Sequence, residues 1–361
     1  MSFAAKSPPL VSVILPVYNE AAHIEQVVLS ILRQSRSNFD LELLVIDGNS
    51  TDGTSDLLKS ISASNPEVRL LQNPRRMTPL AFNIGLKHAK GEYACIFGAH
   101  TAYDQDYIAV CLSEAQARGA AGCGGRVLTT PADGSLQARL VAAALGTSFG
   151  TSSKSFRNHP EGYADNVNYP VFVRGPVMEL GGYDEHLYRN QDIDLNQRLR
   201  AGGHTLYMTW NTSCRYFVQP TVSALSKYCW KTGYWNIISL KKNPSVHSLY
   251  HFVPAIFVLV SILTSALACA GLCFPARYRT WAILPLVVLL GAYFGVAMLV
   301  SCFTALRKKW LAGLLLPPVF LSLHASYGMG TLWALLCNAN SPEAALKSEP
   351  LGQTEQVHGA Q

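Results

Sequence analysis

Between His251 and Ser341 the chain contains no aspartate or glutamate, although 23 acidic residues are spread over the rest of its 361. Within that stretch lie three apolar runs, Phe252 to Phe274, Trp281 to Leu306 and Leu311 to Leu336. Each is near or above the roughly 20 residues that a helix needs to cross about 30 Å of hydrocarbon. The C-terminal third is therefore predicted to be a membrane domain, residues 246–337, with about three transmembrane helices, ahead of a flexible tail at 338–361. With Lys241 and Lys242 on the cytoplasmic side, three crossings return Arg307, Lys308 and Lys309 to the cytoplasm, as the positive-inside rule prefers, and leave the sparser Arg277 and Arg279 outside. The alternative is that the third run, interrupted by Pro317-Pro318 and holding His324, lies in the interface.

The bulk figures agree with an apolar block joined to a water-soluble one. Charged residues make up only 14% of the chain, unusual for two soluble domains. The net charge of +6 raises the question of nucleic acid, but the basic residues form no cluster with interleaved aromatics and match no nucleic-acid motif. Attraction to anionic lipid accounts for them better. Lys227-Tyr-Cys-Trp-Lys-Thr-Gly-Tyr-Trp235 has the cation and aromatic mixture of a membrane interface. Nine scattered cysteines without C-x-x-C pairing argue against a disulfide framework and a zinc site. The early apolar run Leu10 to Val17 is short and meets Asn19 and Glu20 at once, unlike a signal peptide, so the N-terminal domain, 1–245, is expected to be cytoplasmic at a multi-pass protein of the cell's inner membrane.

That domain alternates two periodicities. Val11 to Pro16 reads as a strand, and Glu20 to Arg33 as a helix through Ile24, Val27, Val28, Ile31 and Leu32. Leu41 to Ile46 is a second strand ending at Asp47, followed by a helix through Ile61 that Thr51 or Asp52 can cap. Val68 to Leu71 and Tyr93 to Phe97 are further strands around a helix from Pro79 to Ala89. Such alternation predicts an α/β fold with a mostly parallel, Rossmann-like sheet flanked by helices, whose ligands sit beyond the carboxyl ends of the strands. Residues 120–175 show no clear period. Asp192 to Ala201 is a charged helix, and Thr205 to Trp210 an edge strand.

Pro16-Val-Tyr-Asn-Glu20, Asp47-Gly-Asn-Ser-Thr-Asp-Gly53, Asn83 before Gly85, Gly91-Glu-Tyr93, Gly181-Gly-Tyr-Asp-Glu185 and Gln191-Asp-Ile-Asp-Leu195 follow one another in an order that resembles family 2 glycosyltransferases of the GT-A fold. The stretches Arg189 to Arg200 and His324 to Gly330 are similar, more narrowly, to ExoA-type transferases of exopolysaccharide assembly. The resemblance spans residues 10 to about 240 and implies a nucleotide-sugar site at Pro16, Tyr18, Glu20, Asp47, Asn83, Ala99 and His100. A carboxylate at a strand's end suits the N–H of a uracil ring; Asp47-Gly48 can also be a turn alone, and Asp52 a cap. It further implies Asp192 as the base that deprotonates an acceptor hydroxyl, against the reading of Asp192 as a helix N-cap. Asp194 is the second candidate base, against an ion pair with Arg198 at i,i+4. Arg174, Gly182 and Tyr183 fall on the acceptor side, with Tyr183 offering an aromatic face. Arg75, Arg76 and Arg126 are either phosphate ligands or surface charges.

The resemblance also implies a divalent metal, Mg2+ or Mn2+, to neutralise the departing nucleoside diphosphate. The expected acidic element corresponds to Gly98-Ala99-His100, where Gly98 replaces the first carboxylate. His100 is then a metal ligand or phosphate donor, and Asp104 or Asp106 a substitute ligand, unless both are helix caps. The implied function is inverting transfer of a hexose from a nucleotide sugar, UDP-linked, to a membrane-borne polyprenyl-linked oligosaccharide in exopolysaccharide or cell-surface glycan synthesis. The absence of a Gln-x-x-Arg-Trp element fits one sugar per encounter rather than processive synthesis. Transfer to polyprenyl monophosphate, and a nucleotide-sugar-binding scaffold without catalysis, remain as alternatives.

Overall fold

The computed structural model describes residues 7–99, 101–244 and 249–337, so His100 and the expected tail at 338–361 lie outside the described residues. The sequence alternation up to residue 97 becomes a parallel half-sheet. Strand β1 (Leu10–Val17) pairs in parallel with β2 (Asp40–Asp47) on one side and β4 (Tyr93–Ile96) on the other, and β3 (Val68–Gln72) extends β2. Helices α1 (Ile24–Leu32), α2 (Thr54–Ser64) and α3 (Thr78–His88) connect them. β1 and β2 read as near-continuous apolar runs because helices cover both of their faces. Val11, Val13, Leu15 and Val17 enter one core with α1 and α2, whereas Ile14 joins Leu44, Ile46 and α3 in the other. The period of two along a strand sorts these side chains. Pro16 is tolerated in this central strand because its missing N–H faces the side where β4 has already ended at Ile96.

Beyond β4 the sheet becomes antiparallel. The remaining strands are β5 (Thr101–Tyr103), β6 (Gly122–Thr130), β7 (Gly162–Tyr163), β8 (Val171–Val173) and β9 (Leu206–Phe217), in the order β3-β2-β1-β4-β8-β6-β9-β5 with β7 on β9. The parallel expectation thus holds for the half of a mixed sheet that β1 to β4 form. The expected edge strand at Thr205 to Trp210 is corrected: β9 has 12 residues and neighbours on both sides. Its second half, Asn211 to Phe217, is polar on alternate positions without an apolar counterpart, which concealed it. Helices α4 (Tyr107–Arg118), α6 (Arg174–Glu179) and α7 (Gln191–Ala201) complete this part.

The chain divides into two compact units, one of residues 1–128 and 154–216, the other of 129–153 and 217–361. The line drawn at residue 245 therefore falls inside the second unit. That unit contains α5 (Leu136–Leu145), α8 (Val222–Lys242), α9 (Val253–Gly271), α10 (Ala276–Arg307) and α11 (Leu316–Leu336). Three segments are long and apolar enough to cross a membrane: Leu249–Gly271, Ala276–Arg307 and Leu311–Leu336. Pro317 and Pro318 fall in the first turn of α11, where a missing N–H costs nothing, so they begin the helix rather than break it. α11 packs closely on α8, since a Cβ on Gly330 would run into the Trp230 carbonyl and one on Gly233 into that of Tyr327. His324 donates through Nε2 to the Phe149 carbonyl at 2.9 Å and meets the Tyr293 hydroxyl at Nδ1, also at 2.9 Å. The His324 to Gly330 stretch is thus a packing hub of the second unit.

Candidate active site

At the carboxyl ends of β1 and β2, where Val17 pairs with Asp47, two loops are sewn together. The Asn19 N–H donates to the Ser50 hydroxyl (2.9 Å), the Glu20 N–H to the Thr54 hydroxyl (2.8 Å) and the Ala21 N–H to Asp52 (3.0 Å), while the Asn19 side chain accepts the Thr51 N–H (2.9 Å). This lattice draws residues 18–23 out of α1, which starts at Ile24 rather than Glu20. Asp52 also accepts the Thr54 N–H at 3.1 Å, but Gly53 occupies the cap position of α2 without a side-chain cap bond, so neither Thr51 nor Asp52 is its N-cap.

Asp47 is fully buried. One carboxylate oxygen accepts the Ser50 N–H (3.2 Å) and hydroxyl (2.6 Å), and the other accepts the Ser55 hydroxyl (2.5 Å). In this structure it holds the loop. Tyr18 does face outward: the Arg76 guanidinium carbon lies 5.1 Å from its ring centroid, and Arg76 also donates to the Tyr18 hydroxyl at 3.3 Å and to the Asn49 carbonyl at 3.4 Å. Glu20 and Pro16 are half-buried in the same region.

The other side of the site forms around the turn after β4. The Gly98 N–H donates to the Tyr103 hydroxyl at 2.9 Å, and the Thr101 N–H returns to the Gly98 carbonyl at 3.3 Å, with Ala99 half-buried between. A Cβ on Gly98 would lie 3.5 Å from Thr101 Oγ1 and 3.6 Å from Tyr169 Cε1, ordinary contact distances. The Thr101 hydroxyl donates to that of Tyr169 at 3.2 Å. Tyr169, whose backbone is left-handed (φ 52°), is in turn an electrostatic neighbour of Asp192.

Asp192 is the second residue of α7, and Asn190 occupies the cap position. The N-cap alternative is thereby removed. A helix N-terminus favours a carboxylate, yet burial dominates here and pushes the Asp192 carboxyl up to about 6. Such a value lies near the optimum for a general base working at neutral pH. Asp194, by contrast, is buried in an ion pair with Arg198 at 2.8 Å, and Arg198 donates also to the carbonyls of Leu180 (2.9 Å) and Gly182 (2.8 Å). Asp194 staples the loop before α7.

Asn83 grips that loop from α3. Its amide nitrogen donates to the Tyr183 carbonyl (2.8 Å) and to Glu185 (3.0 Å), and its oxygen accepts the Tyr183 N–H (2.8 Å). Both ends of its amide are thus engaged with the 183–185 loop. Gly182 has φ 73°, and a Cβ there would lie 2.5 Å from Asn83 Oδ1. Tyr183 is buried with its ring 4.8 Å from that of Phe82, so it belongs to the core and offers no face to a sugar. Arg174 donates to the Gly91 carbonyl at 2.8 Å, just before the N-terminal end of β4.

Of the residues expected to hold a metal, His100 lies outside the described residues, and Asp104 and Asp106 are engaged with β9. Asp104 accepts the Ser213 N–H (3.0 Å) and hydroxyl (2.6 Å), and Asp106 accepts the Thr212 hydroxyl (2.8 Å); both tie α4's approach to β9. Among the described residues no three His, Cys, Asp or Glu side chains gather as a metal site. Sequence reasoning missed Tyr169 altogether: neither spacing nor residue type marks a tyrosine that meets the Thr101 hydroxyl just after the Gly98 turn.

The chain, with its parallel half-sheet, antiparallel continuation and a carboxyl raised by burial at the start of α7, is a glycosyltransferase by its comparison with known proteins. Residues 12–166 match the family described as Glycosyl transferase family 2, and the chain carries a domain of that family on a GT-A fold. It is 29% identical over 209 residues to the succinoglycan biosynthesis protein ExoA of Rhizobium meliloti, which covers 57% of this chain and 62% of that protein. It is 28% identical over 249 residues, 64% of this chain and 77% of the other, to the dolichyl N-acetyl-alpha-D-glucosaminyl phosphate 3-beta-D-2,3-diacetamido-2,3-dideoxy-beta-D-glucuronosyltransferase of Methanococcus voltae. In fold it is similar to the mannosyltransferase PcManGT of Pyrobaculum calidifontis, solved with GDP-Man and Mn2+, with a TM-score of 0.54 over 91% of this chain and 87% of that one at 18% identity.

Proposed function

We propose that this chain is an inverting glycosyltransferase that moves a hexose from a nucleotide sugar, UDP-linked, to a membrane-borne polyprenyl-linked oligosaccharide at the cytoplasmic face of the inner membrane. The observation that carries the reading is Asp192, whose carboxyl burial raises to about 6 beside Tyr169. In the reaction the acceptor hydroxyl loses its proton to Asp192, its oxygen bonds to the anomeric carbon, and the bond from that carbon to the diphosphate breaks on the opposite face. The Tyr18 and Arg76 pair suits a nucleoside stacked at the ends of β1 and β2. The relatives named for exopolysaccharide and dolichyl-linked glycan synthesis support a lipid-linked acceptor. Three membrane-competent segments supply the physical motive, because tethering raises effective concentration only for a partner in the same membrane.

Membranes containing the protein, incubated with labelled UDP-hexoses and lipid-linked primers, should place label in the lipid fraction, and Asp192→Asn should remove it. No label with any UDP- or GDP-sugar refutes the transfer. Label that persists in Asp192→Asn points instead to transfer onto a polyprenyl monophosphate, which needs no deprotonated alcohol.

A further inference from the structure

The turn that should carry a metal-binding carboxylate carries Gly98, and packing does not demand the glycine, since a Cβ there would stand at ordinary contact distances. The substitute Asp104 is committed to Ser213. Among the described residues no acidic or histidine trio takes over. A departing nucleoside diphosphate nevertheless has to have its charge matched.

A cation stands beside that same turn. Thr101 is the register partner of Tyr216 in the β5–β9 pair, which puts the two side chains on one face about 5 Å apart. The Arg157 guanidinium carbon lies 4.8 Å from the Tyr216 ring centroid and 4.8 Å from that of Phe156. Tyr169 joins the group, receiving the Thr101 hydroxyl at 3.2 Å and neighbouring both Tyr216 and Asp192 electrostatically. Arg157, Tyr216, Thr101 and Tyr169 thus form one chain of neighbours along the strand that follows Gly98. An arginine held by rings keeps its charge at every relevant pH, and its planar N–H edge matches two phosphate oxygens at once.

We propose that Arg157, clamped by Phe156 and Tyr216, is a diphosphate-binding residue that supplies at this turn the positive charge for which the fold elsewhere uses a carboxylate-held metal. The inference rests on the glycosyl-transfer reading for its ligand. The diphosphate is that of the donor nucleotide or of a polyprenyl diphosphate acceptor, two sources with one chemistry.

The test uses the full chain in detergent or nanodiscs and titrates UDP, UMP and uridine, with and without EDTA, into wild type, Arg157→Gln and Arg157→Lys, each first shown to melt like wild type. Arg157→Gln should weaken UDP by about 10- to 100-fold, the range for a charge-assisted pair, with uridine unchanged, Arg157→Lys intermediate and EDTA without effect. Binding of the same variants to vesicles with and without polyprenyl diphosphate separates the sources: loss there alone assigns the residue to the acceptor. Unchanged binding of Arg157→Gln in both arms, or loss of wild-type UDP binding in EDTA, overturns the proposal. Labelled-sugar turnover keeps the two readings apart. Full turnover in Arg157→Gln overturns this inference and leaves the transfer standing, whereas Arg157-dependent UDP binding without wild-type turnover does the reverse.

Discussion

At the ends of β1 and β2, polar groups answer one another within the protein: Asp47 is held by Ser50 and Ser55, Asn19 by Ser50 and Thr51, Asp52 by Ala21 and Thr54. Around Asp192 the balance is different. Its carboxyl is raised by burial alone, without an offsetting hydrogen bond or cation among the described residues. The first region is built to hold a shape, with Tyr18 and Arg76 on its surface, and the second keeps a reactive group in a poorly solvated setting. Hydrogen bonds to a buried carboxylate secure a loop but lower its basicity; desolvation does the opposite, at a cost in stability.

The sharpest break in the comparison is Asp192→Asn. Transfer should fall by about 10²- to 10⁴-fold, the usual contribution of a general base, and wild-type turnover should rise with pH through about 6 as Asp192 loses its proton. Stability should move the other way. Because the folded value lies above the ordinary 3.8, the stabilisation that the protonated carboxyl retains at low pH is lost as pH climbs through about 6. Melting curves should therefore show Asp192→Asn close to wild type near pH 4 and more stable above pH 6, by about 1–3 kcal/mol at 1.36 kcal/mol per pH unit. An acid loss of activity that Asp192→Asn shares, or a variant less stable at pH 7.5, would remove the distinction between the two regions.

Asp47→Ala probes the first region. It leaves the Ser50 N–H and the Ser50 and Ser55 hydroxyls without their acceptor, and should destabilise the protein by about 2–3 kcal/mol. Urea unfolding checks this. A variant that folds with wild-type stability yet binds UDP poorly would return Asp47 to the direct nucleoside contact that the motif suggests.

Much of the fold was legible because β1 to β4 and their helices have strict periods and lie close in sequence. The antiparallel half was not: β7 and β8 have two and three residues, and residues 129–153 join the second unit across a long stretch of chain, for which no local pattern exists. In the site, Asp192 and Tyr18 stand out in the sequence only through their motifs. Residue type and spacing do not disclose which polar groups find partners within the protein, as Asp47 does in Ser55, Asn83 in Tyr183 and Asp194 in Arg198. Tyr169 and Arg157 carried no signal at all, since their meaning comes from β5 meeting β9.

Two glycines repeat the contrast at the scale of one methyl group. Gly182 combines a left-handed backbone with a Cβ position 2.5 Å from Asn83 Oδ1, and Gly182→Ala should cost about 1–3 kcal/mol of stability, with transfer reduced because the loop it anchors sets the start of α7. Gly98 faces no such demand. Its N–H to Tyr103 and its carbonyl to Thr101 survive substitution, and the nearest atoms leave a Cβ at 3.5–3.6 Å. Gly98→Ala should therefore change stability by less than about 0.5 kcal/mol, as an unstrained substitution does. Denaturant melts of the pair measure the difference directly. If Gly98→Ala proves as damaging as Gly182→Ala, the glycine is there for the turn's own geometry, and the missing carboxylate is a by-product of folding. If it is silent, the sequence was free to keep an acid at residue 98, and the positive charge at Arg157 becomes the chemically meaningful difference.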